Sequence, residues 1–216
     1  MLFVIIPYLS LSFYTFQDFD TGFLRSLNTI ETVNSIALIN GCADICDICG
    51  HLGDMLRYSL QHEPEDTTLG QELEHIRNYL AIMRFRSNNF DYCLNIAPEL
   101  LGLRVQRLIL QPIVENCIRH GFVMPTRRGM ISVEGEAKGD RLYLRVQDNG
   151  VGIPPEELAA IRDSLRIQRR PDARERIGLS NVHWRIRLRY GADYGVTVES
   201  EPGQGSRVCI ALPLAV

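Results

Sequence analysis

"LQPIVENCIRHGF", residues 110–122, sets Glu115, Asn116, Arg119 and His120 into a run otherwise built of core residues. At helical spacing the two sets separate. Leu110, Ile113, Val114, Cys117 and Ile118 follow the i, i+3, i+4, i+7, i+8 rule and form one apolar stripe. Glu115, Asn116, Arg119 and His120 fall together on the opposite face, within about a turn and a half. Plain solvent more often meets Lys and Glu on such a face. Two readings stay open on this stretch alone: a polar face with a chemical task, or a partly exposed helix with an incidental Glu115–Arg119 pair.

The chain around this stretch is ordinary in composition. Its 216 residues suit one large domain or two small ones, and 45% hydrophobic with 23% charged residues describes a globular protein. A net charge of −3 argues against a nucleic-acid partner, which calls for a basic surplus. Six cysteines without a secretion signal point to reduced thiols in a cytosolic setting. The first sixteen residues, "MLFVIIPYLSLSFYTF", carry no charge. They fall short of the roughly 20 residues that span a bilayer, Pro7 interrupts them, and no basic region precedes them. A membrane-helix stub, an interfacial anchor and a misread start of the chain all fit.

Outward from 110–122, residues 23–61 read as helix with a weak point at Gly41. Beyond it, Cys42, Cys46 and Cys49 line one side and Ile45, Ile48 and Leu52 the other, which asks for burial from two sides and so for a bundle and a dimer. The C-x3-C-x2-C spacing of "CADICDIC" (42–49) would suit an iron–sulfur cluster only on a loop wrapping the iron. Within a helical pattern these cysteines read as small core residues. Thr68 and Gln71 stand in capping-box spacing for a helix over 69–86. "FDYCLNIAP" (90–98) reads as a strand, 102–121 as helix and 129–148 as a hairpin turning at Lys138-Gly139-Asp140. Residues 154–177 are polar and arginine-rich, with Arg162, Arg166, Arg169, Arg170, Arg174 and Arg176 in an expected loop. A helix over 179–190 and a closing hairpin around Pro202-Gly203-Gln204-Gly205 complete an α+β arrangement.

Three further stretches carry ligand chemistry. In "VQDNGVGIP" (146–154) a strand ends at Asp148 and the chain turns through Gly150 and Gly152; glycines let backbone approach a ligand, and the carboxylate can accept from an exocyclic amine. Asp-Asn-Gly is also common turn chemistry. In "RIGLSNVHWRIRLRYG" (176–191) Gly178 and Leu179 open a helix whose free N–H groups suit a phosphate. "EPGQGSRV" (201–208) adds a glycine-bearing turn with Gly205 and Ser206.

In this order and spacing the stretches resemble the Bergerat-fold ATPases: histidine kinases, gyrase-type enzymes, Hsp90-type chaperones and MutL-type proteins. "LQPIVENCIRHGF" looks most like sensor histidine kinases of the autolysin-regulator type. "TLGQELEHIRNYLAIMRFRSNNFDY" (68–92) matches the pattern upstream of that family's N box, and "LRYSL" (56–60) the end of its dimerisation helix. The resemblance covers about residues 23–214.

The resemblance implies a helical dimerisation segment followed by an α/β-sandwich ATP-binding domain, divided as an apolar stub over 1–22, a histidine-transfer-like segment over 23–86 and a catalytic domain over 87–216. It implies ATP and Mg2+ as ligands, with Asn116 on the magnesium and Glu115 as general base or orienter of the attacking imidazole. Arg119 and His120 would reach phosphates and Asp148 the adenine amine. Gly150, Gly152, Gly178, Leu179, Gly205 and Ser206 would line the nucleotide, under a lid over 154–177 that closes on binding. A homodimer, or a heterodimer with an intact kinase, a response regulator and a place at the cytoplasmic membrane face through residues 1–16 follow from the same resemblance.

The chain departs from the family at the phosphoacceptor. Where an Asn-Pro-His-Phe-Leu motif opens the dimerisation helix, this sequence reads "DTGFLRSLNTI", with Gly22 before Phe23-Leu24. Glycine offers no nucleophile, so the chain as written has no acceptor at that place. His51, His62 and His75 read as structural or exposed. Arg176 stands where the second glycine box has its first Gly, and Gln106 replaces a common Pro.

Overall fold

The computed structural model describes residues 19–60, 66–121, 128–166 and 178–214. They divide into two compact units, the boundary falling between Leu56 and Arg57.

The first unit holds α1 (Phe19–Ile39) and most of α2 (Ala43–Leu60). The weak point expected at Gly41 is a full break: Gly41 takes φ +66°, and the amide of Cys42 closes on the Ala37 carbonyl at 2.9 Å. Ala37, Cys49 and Leu56 are buried here, whereas Val33, Ile36, Leu38, Ile39 and Ile45 are exposed. The cysteines do not form one core row as expected. Cys49 is buried and Cys46 half-buried, but Cys42 is exposed because the turn places it ahead of α2.

The second unit is a two-layer α/β sandwich. Its main sheet runs β2 (Phe90–Ile96), β4 (Gly129–Lys138), β5 (Arg141–Asp148), β7 (Gly205–Pro213), β6 (Gly195–Glu201) in spatial order. β2 and β4 are parallel and the other pairs antiparallel, so the sheet is mixed. Strand alternation works as read. Leu142, Leu144 and Val146 are buried, while Tyr143 and Arg145 stay half-exposed and Gln147 exposed. One face therefore packs under helices and the other meets solvent. A short antiparallel pair, β1 (Asp66–Thr68) with β3 (Arg104–Gln106), lies outside the main sheet.

The helices of this layer are α3 (Leu69–Arg86), α4 (Gln111–Asn116), α5 (Pro155–Arg166) and α6 (Leu179–Tyr190). α3 has the bounds its capping box predicts: Thr68 Oγ1 accepts from the Gln71 amide at 3.2 Å, and the Gln71 side chain accepts from the Thr68 amide at 3.1 Å. Its apolar residues Leu69, Leu73, Ile76 and Leu80 join Ile113, Val114, Ile131, Leu144, Ile186 and Ile210 in the core.

Two expectations are corrected. Residues 102–121 are not one helix: β3 and a bend precede α4, and a π turn, Cys117–Gly121, follows it. Leu108 takes φ +57° in that bend, a conformation no helix accommodates. Nor is 154–177 loop throughout. Residues 155–166 form α5, which starts with Pro155 and two glutamates and buries Leu158 and Leu165. Arg162 and Arg166 thus sit on a helix, and Arg162 donates to the Val198 carbonyl on β6 at 2.9 and 3.1 Å. Residues 167–177, with Arg169, Arg170, Arg174 and Arg176, lie outside the described residues, as do residues 1–18, His62 and Phe122.

Candidate functional site

α4 buries Leu110, Ile113, Val114 and Cys117 as its stripe predicts and leaves Glu115 and Asn116 half-exposed. It packs on α3 and α6, while the following π turn packs on β5 and β7. The π turn adds one residue to the last loop of backbone and sets Arg119 at the surface. His120 lies in the same turn, with its side chain outside the described residues.

Cys117 ties this helix to the strand-end carboxylate. Its thiol and the Ser206 amide lie near the Asp148 carboxylate, which accepts from the amide of Gly150 at 2.7 Å. Asp148 is 4% exposed, and burial pushes its carboxyl upward from its ordinary value against the pull of these donors. Burial and the neighbouring carboxylate together push the Cys117 thiol well up, so it stays protonated and able to donate. Because Cys117 follows Asn116 directly, Asn116 and Asp148 belong to one locality.

Gly178 completes it from the other side. It caps α6 with φ +107°, and a Cβ built there would stand 3.5 Å from Asn116 Nδ2. The N-cap of α6 is Gly178, which has no side chain to bond the leading amides, and among the described residues no side-chain cap is made there. Leu179, the first helical residue, leans half-buried on the core.

Gly152 and Gly205 answer to a different constraint than ligand approach. A Cβ at Gly152 would lie 2.1 Å from the Glu201 carbonyl, and one at Gly205 2.1 Å from the Asp148 carbonyl. The two turns press backbone against backbone, sealed by the Gly203 amide on the Val151 carbonyl at 2.8 Å. Ser206 meets Ser200 Oγ at 2.9 Å, and Ser200 Oγ also takes the Ile153 amide at 2.8 Å. Gly150, Gly152, Gly205 and Ser206 thus stand around Asp148 in one assembly.

Sequence reading missed the groups that hold α4 in place. Glu72 of α3, fully buried, accepts from the Leu108 and Leu110 amides, each at 3.0 Å, and from the Tyr58 hydroxyl. Gln111 links His75 to Glu115: His75 Nε2 lies 2.6 Å from Gln111 Oε1, and Gln111 Nε2 donates to Glu115 Oε1 at 2.7 Å. The available hint was the polar triple Glu72, His75 and Asn78 at i, i+3, i+6 on the side of α3 that also carries Leu69, Leu73, Ile76 and Leu80.

A mixed sheet under helices, with an Asn-bearing helix, a strand-end Asp and a glycine-led helix N-terminus converging, is the architecture of the Bergerat ATPase sandwich. The chain belongs to that family: residues 103–216 match the model of the histidine kinase-, DNA gyrase B- and HSP90-like ATPases. Residues 23–90 match the histidine kinase family model, which places the chain with sensor histidine kinases of the autolysin-regulator type. It is 30% identical over 187 residues to the sensor histidine kinase YesM of Bacillus subtilis, covering 86% of this chain and 30% of that one. To the sensor histidine kinase BtsS of Escherichia coli it is 29% identical over 190 residues, covering 88% and 30%. The chain therefore spans about a third of the length of these relatives. In fold it is similar to the catalytic domain of histidine kinase ThkA, with TM-score 0.51 and 19% identity over 69% of this chain and 96% of that one. Among the described residues no helix is long and apolar enough to cross a membrane.

Proposed function

We propose that this chain is the kinase core of a two-component sensor, binding ATP with Mg2+ and passing the γ-phosphoryl group to a histidine and from there to a response regulator. The observation that carries the proposal is the convergence of Asn116, Asp148 and the Gly178-led N-terminus of α6. The donor set fits: an amide oxygen at Asn116 suits a hard cation shared with phosphate oxygens, and the buried Asp148 carboxylate suits an amine donor. When bound, Mg2+ would neutralise phosphate charge and hold the phosphates in register. Asn116 would be its protein ligand. Arg119, His120, Gly178 and Leu179 would meet phosphates, and Gly150, Gly152, Gly205 and Ser206 would shape the adenine side around Asp148. Glu115 would take the proton from an acceptor imidazole as its nitrogen bonds to the γ-phosphorus and the bond to the departing ADP oxygen breaks. Residues 154–177, with α5 as their first half, would be the lid.

The wider organisation belongs to the same proposal. Residues 1–22 would have a membrane role at the cytoplasmic face, 23–86 would be a dimerisation and histidine-transfer-like segment, and 87–216 the catalytic domain. The exposed Val33, Ile36, Leu38, Ile39 and Ile45 support a partner for α1 and α2. That partner would be a second copy or an intact kinase.

Gly22 supports a second reading, a nucleotide-binding module that lacks transfer chemistry and acts through dimerisation. Two measurements separate them. Calorimetry with ATP and Mg2+ should give heat from the parent and none from Asn116→Ala or Asp148→Ala. Labelled ATP should mark Gly22→His on histidine and leave the parent unmarked. ATP bound without label on Gly22→His would favour the module.

A further inference from the structure

The buried polar groups along α3 have no task in nucleotide binding as described, and they lead to Glu115. We propose that His75 and Gln111 are positioning residues for the Glu115 carboxylate, held in turn by Tyr58 in the last turn of α2; the inference rests on Glu115 acting as the base.

The hydrogen bonds assign the protons. Gln111 sits between His75 and Glu115, and an ionised carboxylate can only accept. The amide of Gln111 must therefore turn its NH2 toward Glu115, at 2.7 Å, and its oxygen toward His75, at 2.6 Å. That oxygen needs a donor, so His75 carries its proton on Nε2. Nδ1 is then a bare acceptor, buried and without a hydrogen-bond partner among the described residues. Burial lowers the imidazole pKa, with the Gln111 bond and the Glu72 and Glu115 charges opposing and Arg107 adding to the lowering. The ring stays neutral and the tautomer is set.

A core helix gains nothing from this in stability. Leucine would fill the place without the bare Nδ1 and leave the half-exposed Gln111 oxygen to solvent, and unpartnered buried polar atoms are rare for that reason. The surroundings are also over-determined. Tyr58 stacks on the imidazole at 4.4 Å between centroids, and its hydroxyl donates to Glu72. The Arg107 guanidinium lies over the Tyr58 ring at 4.4 Å from its centroid. Glu72 clamps the amides of Leu108 and Leu110, fixing the left-handed residue just ahead of α4. Leu108 is the only non-glycine residue with positive φ among those described. Strain held this way beside a reacting group is a mark of pre-organisation. The helix start, the amide and the carboxylate thus have one arrangement, set from Tyr58.

The test uses the full chain with Gly22→His, so that transfer can be read, and the parent for spectroscopy. Nitrogen NMR of the parent imidazoles should show His75 as the neutral Nε2–H tautomer at neutral pH. In the Gly22→His chain, His75→Leu and Gln111→Leu should slow labelling at saturating ATP roughly tenfold while ATP affinity stays within about twofold. His75→Gln keeps an N–H donor near the Nε2 position and should recover the rate to within about threefold. Thermal melting should find His75→Leu at least as stable as its parent, where a purely structural histidine would leave it weaker. An Nδ1–H tautomer, or unchanged labelling in His75→Leu, overturns this role alone. An unlabelled Gly22→His chain that still binds ATP overturns the transfer reading and this role together.

Discussion

The two units bury their apolar residues to opposite degrees. In the second, Ile76, Ile113, Ile131, Leu144, Ile186 and Ile210 are all fully enclosed. In the first, Ile36 is 56% exposed, Leu38 73% and Ile39 84%. Both carry the same residue types at regular spacing, so hydrophobic pattern alone does not distinguish a face meant for the chain's own core from one meant for a partner. The sheet closes the second unit because its strands supply a second layer. Two helices joined at Gly41 cannot cover both sides of each other.

The sharpest test of that contrast falls on the closed unit. Gly205→Ala drives a methyl into the Asp148 carbonyl and should destabilise by about 3 kcal/mol or more, or abolish a cooperative melt in circular dichroism. Next comes a matched pair. Ile210→Ala should cost about 3 kcal/mol in urea unfolding, and Ile36→Ala less than about 0.5 kcal/mol in dilute chain. In sedimentation the order reverses: Ile36→Ser should shift the chain toward monomer and Ile210→Val should not. Equal stability losses at positions 36 and 210 would erase the distinction between the units.

The smallest effect concerns Asp148. Its carboxyl titrates above its ordinary value in the fold, so the fold binds a proton that the unfolded chain has already released. The resulting stability is present at low pH and is lost as pH rises through the folded carboxyl's range. Asp148→Asn should therefore match the parent in acid and exceed it near neutral pH in denaturation midpoint, while its heat with ATP and Mg2+ disappears. A midpoint difference that shrinks as pH rises would contradict that environment.

Much of the second unit was legible because local chemistry and packing agree there. The capping box at Thr68 and Gln71 bounded α3, alternation gave the hairpin of β4 and β5, and the stripe from Leu110 to Cys117 gave the buried side of α4. The π turn was not legible, since five residues of altered bonding leave no periodicity of their own. α5 had its signs, Pro155, Glu156, Glu157 and then Leu158 and Leu165, but the surrounding arginines made the whole span read as loop. For the candidate site, the sequence supplied the residue types and their order, and resemblance supplied their roles. Behind Glu115 its neighbour Gln111 is held by His75 and Tyr58 from distant segments, and Asp148 has Cys117 and Ser206 around it from two others. Only folding pairs them.

The backbone contact between the turns at Gly152 and Gly205 has a consequence for how such sequences diverge. Neither turn is free to drift by itself, because a side chain admitted at one displaces the main chain of the other. Homologues that keep this contact should therefore carry glycine in both turns, some fifty positions apart, and exchanging either one alone should displace the other turn.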